Sequence, residues 1–126
     1  MAKIINTENA PAPIGPYNQA VRTGNLLFVS GQVPFIAETM ELITDSVEAE
    51  THQVMKNLKA ILNKAGLDFS NIVKASIFCK DLNDFVRINE VYGSYFKENY
   101  PARECVEVSR LPKDVNVEIS VIAEYS

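Results

Sequence analysis

Read for the spacing of apolar and polar positions, the 126-residue chain falls into short alternating runs around two stretches of helical period. The run NLLFVSG, residues 25–31, reads as a buried strand, and QAVRTGN just before it as its hairpin partner, turning at Gly24 and Asn25. From Ser46 to Ala65 the apolar residues Val47, Val54, Leu58, Ile61, Leu62 and Ala65 recur at steps of three and four, which builds one helical stripe. Asp45 and Glu48 are the expected capping pair, and Gly66 ends the helix. NIVKASIFCK then alternates as a strand with Val73, Ala75, Ile77 and Cys79 on one face. Strand, helix and strand in this order predict a crossover and a parallel pair. A second helix is expected from about Asn83 to Lys97, with Phe85, Ile88, Tyr92, Tyr95 and Phe96 turned inward.

Two terminal strands close the pattern. In PARECVEVSRLP, every second residue from Arg103 gives Arg103, Cys105, Glu107 and Ser109 on one side and Glu104, Val106 and Val108 on the other. VNVEISVIAEY puts Val117, Ile119 and Val121 on one face and Asn116, Glu118 and Ser120 on the other. With RLPKD as the turn between them, a hairpin is predicted that pairs Glu107 with Glu118. Arg103 then lies four residues further along, roughly 13 Å from Glu118, so the two would not touch within one chain. The valine sides are expected to pack beneath the helices. The polar side, with Ile122 and Cys105 on it, is better accounted for by a subunit contact than by open water.

Composition narrows the classes. At this length one domain over residues 1–126 is expected, with one ordinary core. No apolar run approaches the ~20 residues of a membrane span, and MAKIINTENA lacks the pattern of a signal peptide. A cytoplasmic protein is expected, with Cys79 and Cys105 reduced. A net charge of −4 and scattered lysines and arginines argue against nucleic acid as the default ligand. One histidine and two distant cysteines supply no zinc spacing, and neither a phosphate-cradling glycine loop nor a GxSxG elbow is present.

Five separated motifs carry a resemblance. PARECVEVSRLPKDVNVEISVIA is similar to the signature segment of the reactive intermediate deaminase A family, the Rid or YjgF-like proteins. NAPAPIGPYNQAV, VSGQVP, NLKAILNKAG and CKDLNDFVRINEVYGSYF match family landmarks in order and spacing. The resemblance implies an α+β fold like that of chorismate mutase, a six-stranded mixed sheet backed by two helices. It also implies a homotrimer with ligand sites between subunits. The implied activity is hydrolysis of 2-imino or 2-enamino acids, such as 2-iminopropanoate and 2-iminobutanoate, to the 2-oxo acid and ammonia, with no cofactor and no metal.

Residue by residue, Arg103 matches the family arginine that binds the substrate carboxylate, for which its planar fork is suited. Without the family it reads first as half of a structural salt bridge with a nearby glutamate. Glu118 matches the glutamate that positions or activates water, a task helped by partial burial that raises its pKa. Tyr17 matches a tyrosine over the ligand, and Ser30 and Gly31 end a strand where backbone groups can bond substrate or water. Cys105 is read as a small residue lining the pocket rather than a nucleophile, since water attack needs no thiolate. Asn89 matches a pocket-lining position on the second helix, and His52 is expected to face solvent.

The chain departs from the family in places. After GQVP it reads FIAETME, without a second proline and with Met40 where glycine is common, and Ser120 stands where an acidic residue is frequent. Two rival readings are a ribonuclease or translation inhibitor, and a binding module or chaperone-like trimer that holds small carboxylic acids without turnover.

Overall fold

The computed structural model describes residues 2–126; Met1, counted in the expected single domain, lies outside them. Six strands and two helices follow one another as β1 (Lys3–Ile5), β2 (Ala20–Thr23), β3 (Leu26–Gln32), α1 (Val47–Lys64), β4 (Ile72–Cys79), α2 (Phe85–Gly93), β5 (Ala102–Glu107) and β6 (Val117–Glu124). The strands form one mixed sheet in the order β1-β2-β3-β6-β4-β5. Its helix-side face carries Leu27, Val29, Ala75, Ile77, Val117, Ile119 and Val121, all buried. They meet the α1 stripe of Val54, Leu58, Ile61 and Leu62, which is fully enclosed. The fold is the expected α+β arrangement of a six-stranded mixed sheet and two helices.

The first hairpin is as predicted: Thr23 faces Leu26 across a turn at Gly24 and Asn25. Gly24 has a φ of 56°, which glycine adopts without strain. Between Val29 and Gln32 the pairing of β3 with β6 shifts, so Ser30 and Gly31 together oppose Ser120. This extra residue is a β-bulge, and it resets the alternation: Gln32, not Gly31, turns into the core, where it is buried. Gly31 is thereby left facing β6 on the other side of the sheet.

Helix α1 starts one residue later than the predicted cap. Ser46, not Asp45, is the N-cap, its Oγ accepting a hydrogen bond from the Ala49 N–H at 3.0 Å. Glu48 has another partner, the Arg87 guanidinium of α2, which donates to both carboxylate oxygens at 3.0 and 2.8 Å. That two-point contact holds the Glu48 carboxyl below its ordinary pKa. Gly66, with φ of 82°, ends the helix as expected. Helix α2 is shorter than predicted and ends at Gly93. Ile88 and Tyr92 are buried as predicted, while Tyr95 and Phe96 pack against the core from the turns that follow.

Three topological expectations are corrected. Strands β3 and β4 run in the same direction but are not neighbours, because β6 lies between them and pairs antiparallel with both. Val73 is 43% exposed rather than in line with Ala75, Ile77 and Cys79. A register shift between Ile72 and Lys74 makes Val73 the extra residue, so the core face passes from Ile72 to Ala75. Finally, β5 and β6 form no hairpin. β5 pairs parallel to β4 at the sheet edge, with Arg103 level with Ala75, Cys105 with Ile77 and Glu107 with Cys79.

That last register reverses the predicted faces of β5. Residues level with one another share a face, so Arg103 and Cys105 lie on the helix side. Val106, predicted to be core, lies on the open side beside Phe78 and is 40% exposed. An edge strand needs no clean division into apolar and polar sides, so its alternation was a poor guide. Strand β6, buried at the centre, obeys its predicted pattern fully.

Candidate active site

Glu118 projects from the open face of β6 into a cleft of about 450 Å³, which Tyr17, Ser30 and Gly31 also line. Two of its rims are set by buried amides. The Gln19 side chain, 2% exposed, accepts from the Thr7 N–H at 2.7 Å and donates to the carbonyls of Thr7, Ala10 and Pro11. This one residue fixes the path of the Pro-rich segment that forms one rim. Asn57 of α1 donates to the carbonyls of Val33 and Phe35, holding the opposite rim. The Ser30 hydroxyl donates to the Asn18 carbonyl at 2.7 Å, so that side chain ties the wall together. Tyr17, about half exposed, spans the mouth, its Oη accepting from the Ile14 N–H at 3.4 Å.

The floor is defined by what Gly31 lacks. A Cβ built there would overlap the Glu118 carboxylate. Glycine at the bulge therefore gives the carboxylate room to lie against the backbone of β3. Among the described residues Glu118 has no ion-pair partner, and burial alone pushes its pKa above the ordinary 4.5. The strand is seated by Glu50 of α1, a buried carboxylate that accepts from the Asn116 N–H at 2.9 Å and from the Asn116 side-chain amide. Position and proton affinity suit a carboxyl group that takes a proton from water.

Arg103 lies in a second cleft, of about 490 Å³, with Asn89, Tyr92 and Tyr100. Phe85, Asn89 and Tyr92 stand at i, i+4 and i+7 on α2 and so form one stripe beneath it. The guanidinium donates to Asn89 Oδ1, with its carbon 5.3 Å from the Phe85 ring centre and 5.6 Å from that of Tyr92. Burial raises the Tyr92 phenol to about 12, against an opposing pull from the Arg103 charge, so it stays protonated at neutral pH. The salt bridge considered for Arg103 does not form among the described residues. Its remaining N–H groups suit a carboxylate ligand.

Within one chain the two clefts do not merge. Arg103 is level with Val121 across β4, three residues from Glu118 and two strands away, and on the opposite face of the sheet. At ~3.3 Å per residue and ~4.8 Å per strand, the Cα atoms are roughly 14 Å apart. The sequence-based conclusion that they do not touch therefore stands, though the hairpin behind it does not. Tyr17, Ser30, Gly31 and Glu118 come together; Arg103 and Asn89 come together elsewhere.

Cys105 lines neither cleft. It packs partly against the core on the helix side, not on the open face where the hairpin placed it. Its neighbour Cys79 is buried, and its thiol is raised to about 11, chiefly by burial, which suits a structural role. His52 is exposed, in keeping with the solvent-facing reading, and its Nδ1 lies 2.9 Å from the Tyr95 hydroxyl. No group of three or more His, Cys, Asp or Glu side chains among the described residues converges on a metal position. No helix among them is long and apolar enough to cross a membrane.

Sequence reasoning missed Gln19 and Asn57, and it placed Tyr92 only in the core. A glutamine heading the hairpin strand, and an amide beside Leu58 in the α1 stripe, were the available signals.

Sheet order, helices and clefts define the class: an α+β protein whose polar groups suit a small carboxylate ligand. The chain belongs to the family described as Endoribonuclease L-PSP, whose family model matches residues 7–125. It is 52% identical over 126 residues to the 2-iminobutanoate/2-iminopropanoate deaminase of Escherichia coli K12, covering 98% of each chain. A RutC family protein of Pyrococcus horikoshii is 51% identical over 123 residues, covering 98% of each. Among solved structures, the YjgF gene product of E. coli superposes with a TM-score of 0.94 at 48% identity, over 98% of this chain and 99% of that one. E. coli TdcF with bound serine gives 0.94 at 47% identity, over the same shares. The family resemblance drawn from the sequence motifs is borne out.

Proposed function

We propose that the protein hydrolyses 2-imino and 2-enamino acids, such as 2-iminopropanoate and 2-iminobutanoate, to 2-oxo acids and ammonia at sites shared between subunits of a homotrimer. The observation that carries this reading is the division of the chemistry. A carboxylate-binding arginine and a partly buried carboxyl with raised pKa lie in separate clefts, on opposite faces, in a chain 52% identical to the E. coli deaminase. One small substrate reaches both only if the β5 edge of one copy meets the Glu118 cleft of another. Phe28 and Val106, 43% and 40% exposed on the open face, supply apolar surface for that contact. We place the protein in the cytoplasm, with no nucleic acid as partner.

In the mechanism Arg103 holds the substrate carboxylate, and Tyr17 covers the ligand. Glu118 takes a proton from water as the oxygen adds to C2 of the protonated imine. The resulting 2-amino-2-hydroxy acid collapses: the proton held by Glu118 passes to nitrogen, the C–N bond breaks to release ammonia, and the hydroxyl gives its proton to the freed carboxylate as it becomes the carbonyl. The raised pKa of Glu118 makes it a stronger base than an ordinary carboxylate. Backbone groups at the Ser30–Gly31 bulge supply further hydrogen bonds.

The test generates 2-iminopropanoate in place with an amino-acid oxidase and traps the survivors with semicarbazide. Wild type lowers semicarbazone; Arg103→Ala and Glu118→Ala do not. A folded wild type equal to the no-protein control refutes the reading. Sedimentation gives the subunit number, and a monomer would refute the shared site. The serine-bound TdcF structure favours a second reading, binding of small carboxylates without turnover. Turnover that requires Glu118 separates the two.

A further inference from the structure

Tyr92 is 4% exposed, and its hydroxyl is the only buried side-chain nitrogen or oxygen among the described residues that lacks a hydrogen-bond partner. A buried phenol without a partner is rare, and each one calls for a structural or functional explanation. The ring lines the Arg103 cleft and sits under the guanidinium. Arg103 is held at present by Asn89.

Arginine has five N–H groups in one plane, and a two-point carboxylate contact uses two of them. Turning that edge toward a ligand weakens the bond to Asn89 and points other N–H groups down at the α2 stripe. There Tyr92, whose ring centre lies 5.6 Å from the guanidinium carbon, carries an unpaired hydroxyl oxygen. We propose that Tyr92 is a positioning residue for the anchor: its hydroxyl accepts a guanidinium N–H from Arg103 when a ligand carboxylate draws the arginine away from Asn89. Asn89 holds the resting position and Tyr92 the loaded one. This rests on the reading of Arg103 as the carboxylate anchor.

The variant is Tyr92→Phe, which keeps the ring beneath Arg103 and removes only the oxygen. Three quantities are read on the full chain: the thermal midpoint of the ligand-free protein, the Kd for pyruvate by calorimetry, and kcat and KM for 2-iminopropanoate. Because no other group of the chain bonds the hydroxyl, the midpoint is expected to stay level or rise. Pyruvate binding weakens about tenfold, KM rises by a similar factor and kcat changes less than about twofold, as expected for a charge-assisted bond made equally to substrate and transition state. A fall in the free-protein midpoint overturns the proposal, since the hydroxyl would already be bonded. Unchanged pyruvate affinity and KM overturn it as well.

Arg103→Ala, measured in parallel, marks the loss expected when the anchor itself goes. If wild type binds pyruvate without hydrolysing imine, the deaminase reading fails while the Tyr92 proposal is still decided by the pyruvate series. If wild type neither binds pyruvate nor hydrolyses imine, both are overturned.

Discussion

Gly31 and Glu118 occupy each other's space: the carboxylate lies where a side chain at position 31 would begin. Gly31→Ala is therefore expected to push the Glu118 carboxyl out of its position while leaving the sheet intact. A displacement of this size near the chemistry lowers kcat by about a hundredfold. Imine hydrolysis by the purified variant checks this, and near wild-type turnover would show that the placement of Glu118 is not critical.

Glu118→Gln should separate stability from activity. The folded-state pKa of Glu118 is raised, so its proton is held more tightly in the folded chain than in the unfolded one. Its contribution favours folding at acid pH and is lost as pH rises through the folded value. Glutamine stays neutral throughout, so the variant is expected to be more stable than wild type at pH 7–8 and equal to it toward pH 4. Turnover falls at least about a hundredfold with removal of the base. Thermal melts across this pH range, paired with the trapping assay, test both halves.

Arg103→Lys keeps the charge and loses the planar fork. Lysine cannot span Asn89 and the α2 rings while presenting two parallel N–H bonds. KM for a 2-imino acid is expected to rise about tenfold, with a smaller change in kcat. Equal KM values would mean that the site needs only a positive charge.

Met40 has a φ of 59°, in the left-handed region, within the short turn where its N–H donates to the Ile36 carbonyl at 2.7 Å. Such a backbone costs a non-glycine residue about 1–2 kcal/mol, part of which glycine gives up in unfolded-chain entropy. Met40→Gly is expected to stabilise the protein by roughly 0.5–1 kcal/mol, raising the thermal midpoint by about 3 °C, with activity unchanged. Calorimetry decides it.

Much of this protein was legible in its residues, and the failures have physical causes. The α1 stripe, the first hairpin and β6 were readable because each buries one clean face. Strand β5 was not, because an edge strand satisfies fewer constraints, and local alternation carries no information on which neighbour it will pair with. The two bulges, at Ser30–Gly31 and Val73, each shift a register by one residue and appear in the sequence only as a glycine or as one valine among many. Glu118, Gly31 and Tyr17 were found through family motifs, and their grouping in one cleft follows from that first bulge. Gln19 and Asn57 went unnoticed because their work is done on distant carbonyls, which no spacing rule encodes.

The place of β6 between β3 and β4 also bears on how the chain comes to be folded. β1–β3 and β4–β5 share no hydrogen-bonded boundary until this strand arrives, and it is the last of the six to leave a ribosome. Until then two inner edges stand open to pairing with other chains, a hazard for any slow or interrupted synthesis. The same closing strand carries Glu118. With Glu118 in the role proposed for it, a chain caught before that step would lack its base as well as its closed sheet, so activity per molecule would track the fraction of completed sheets.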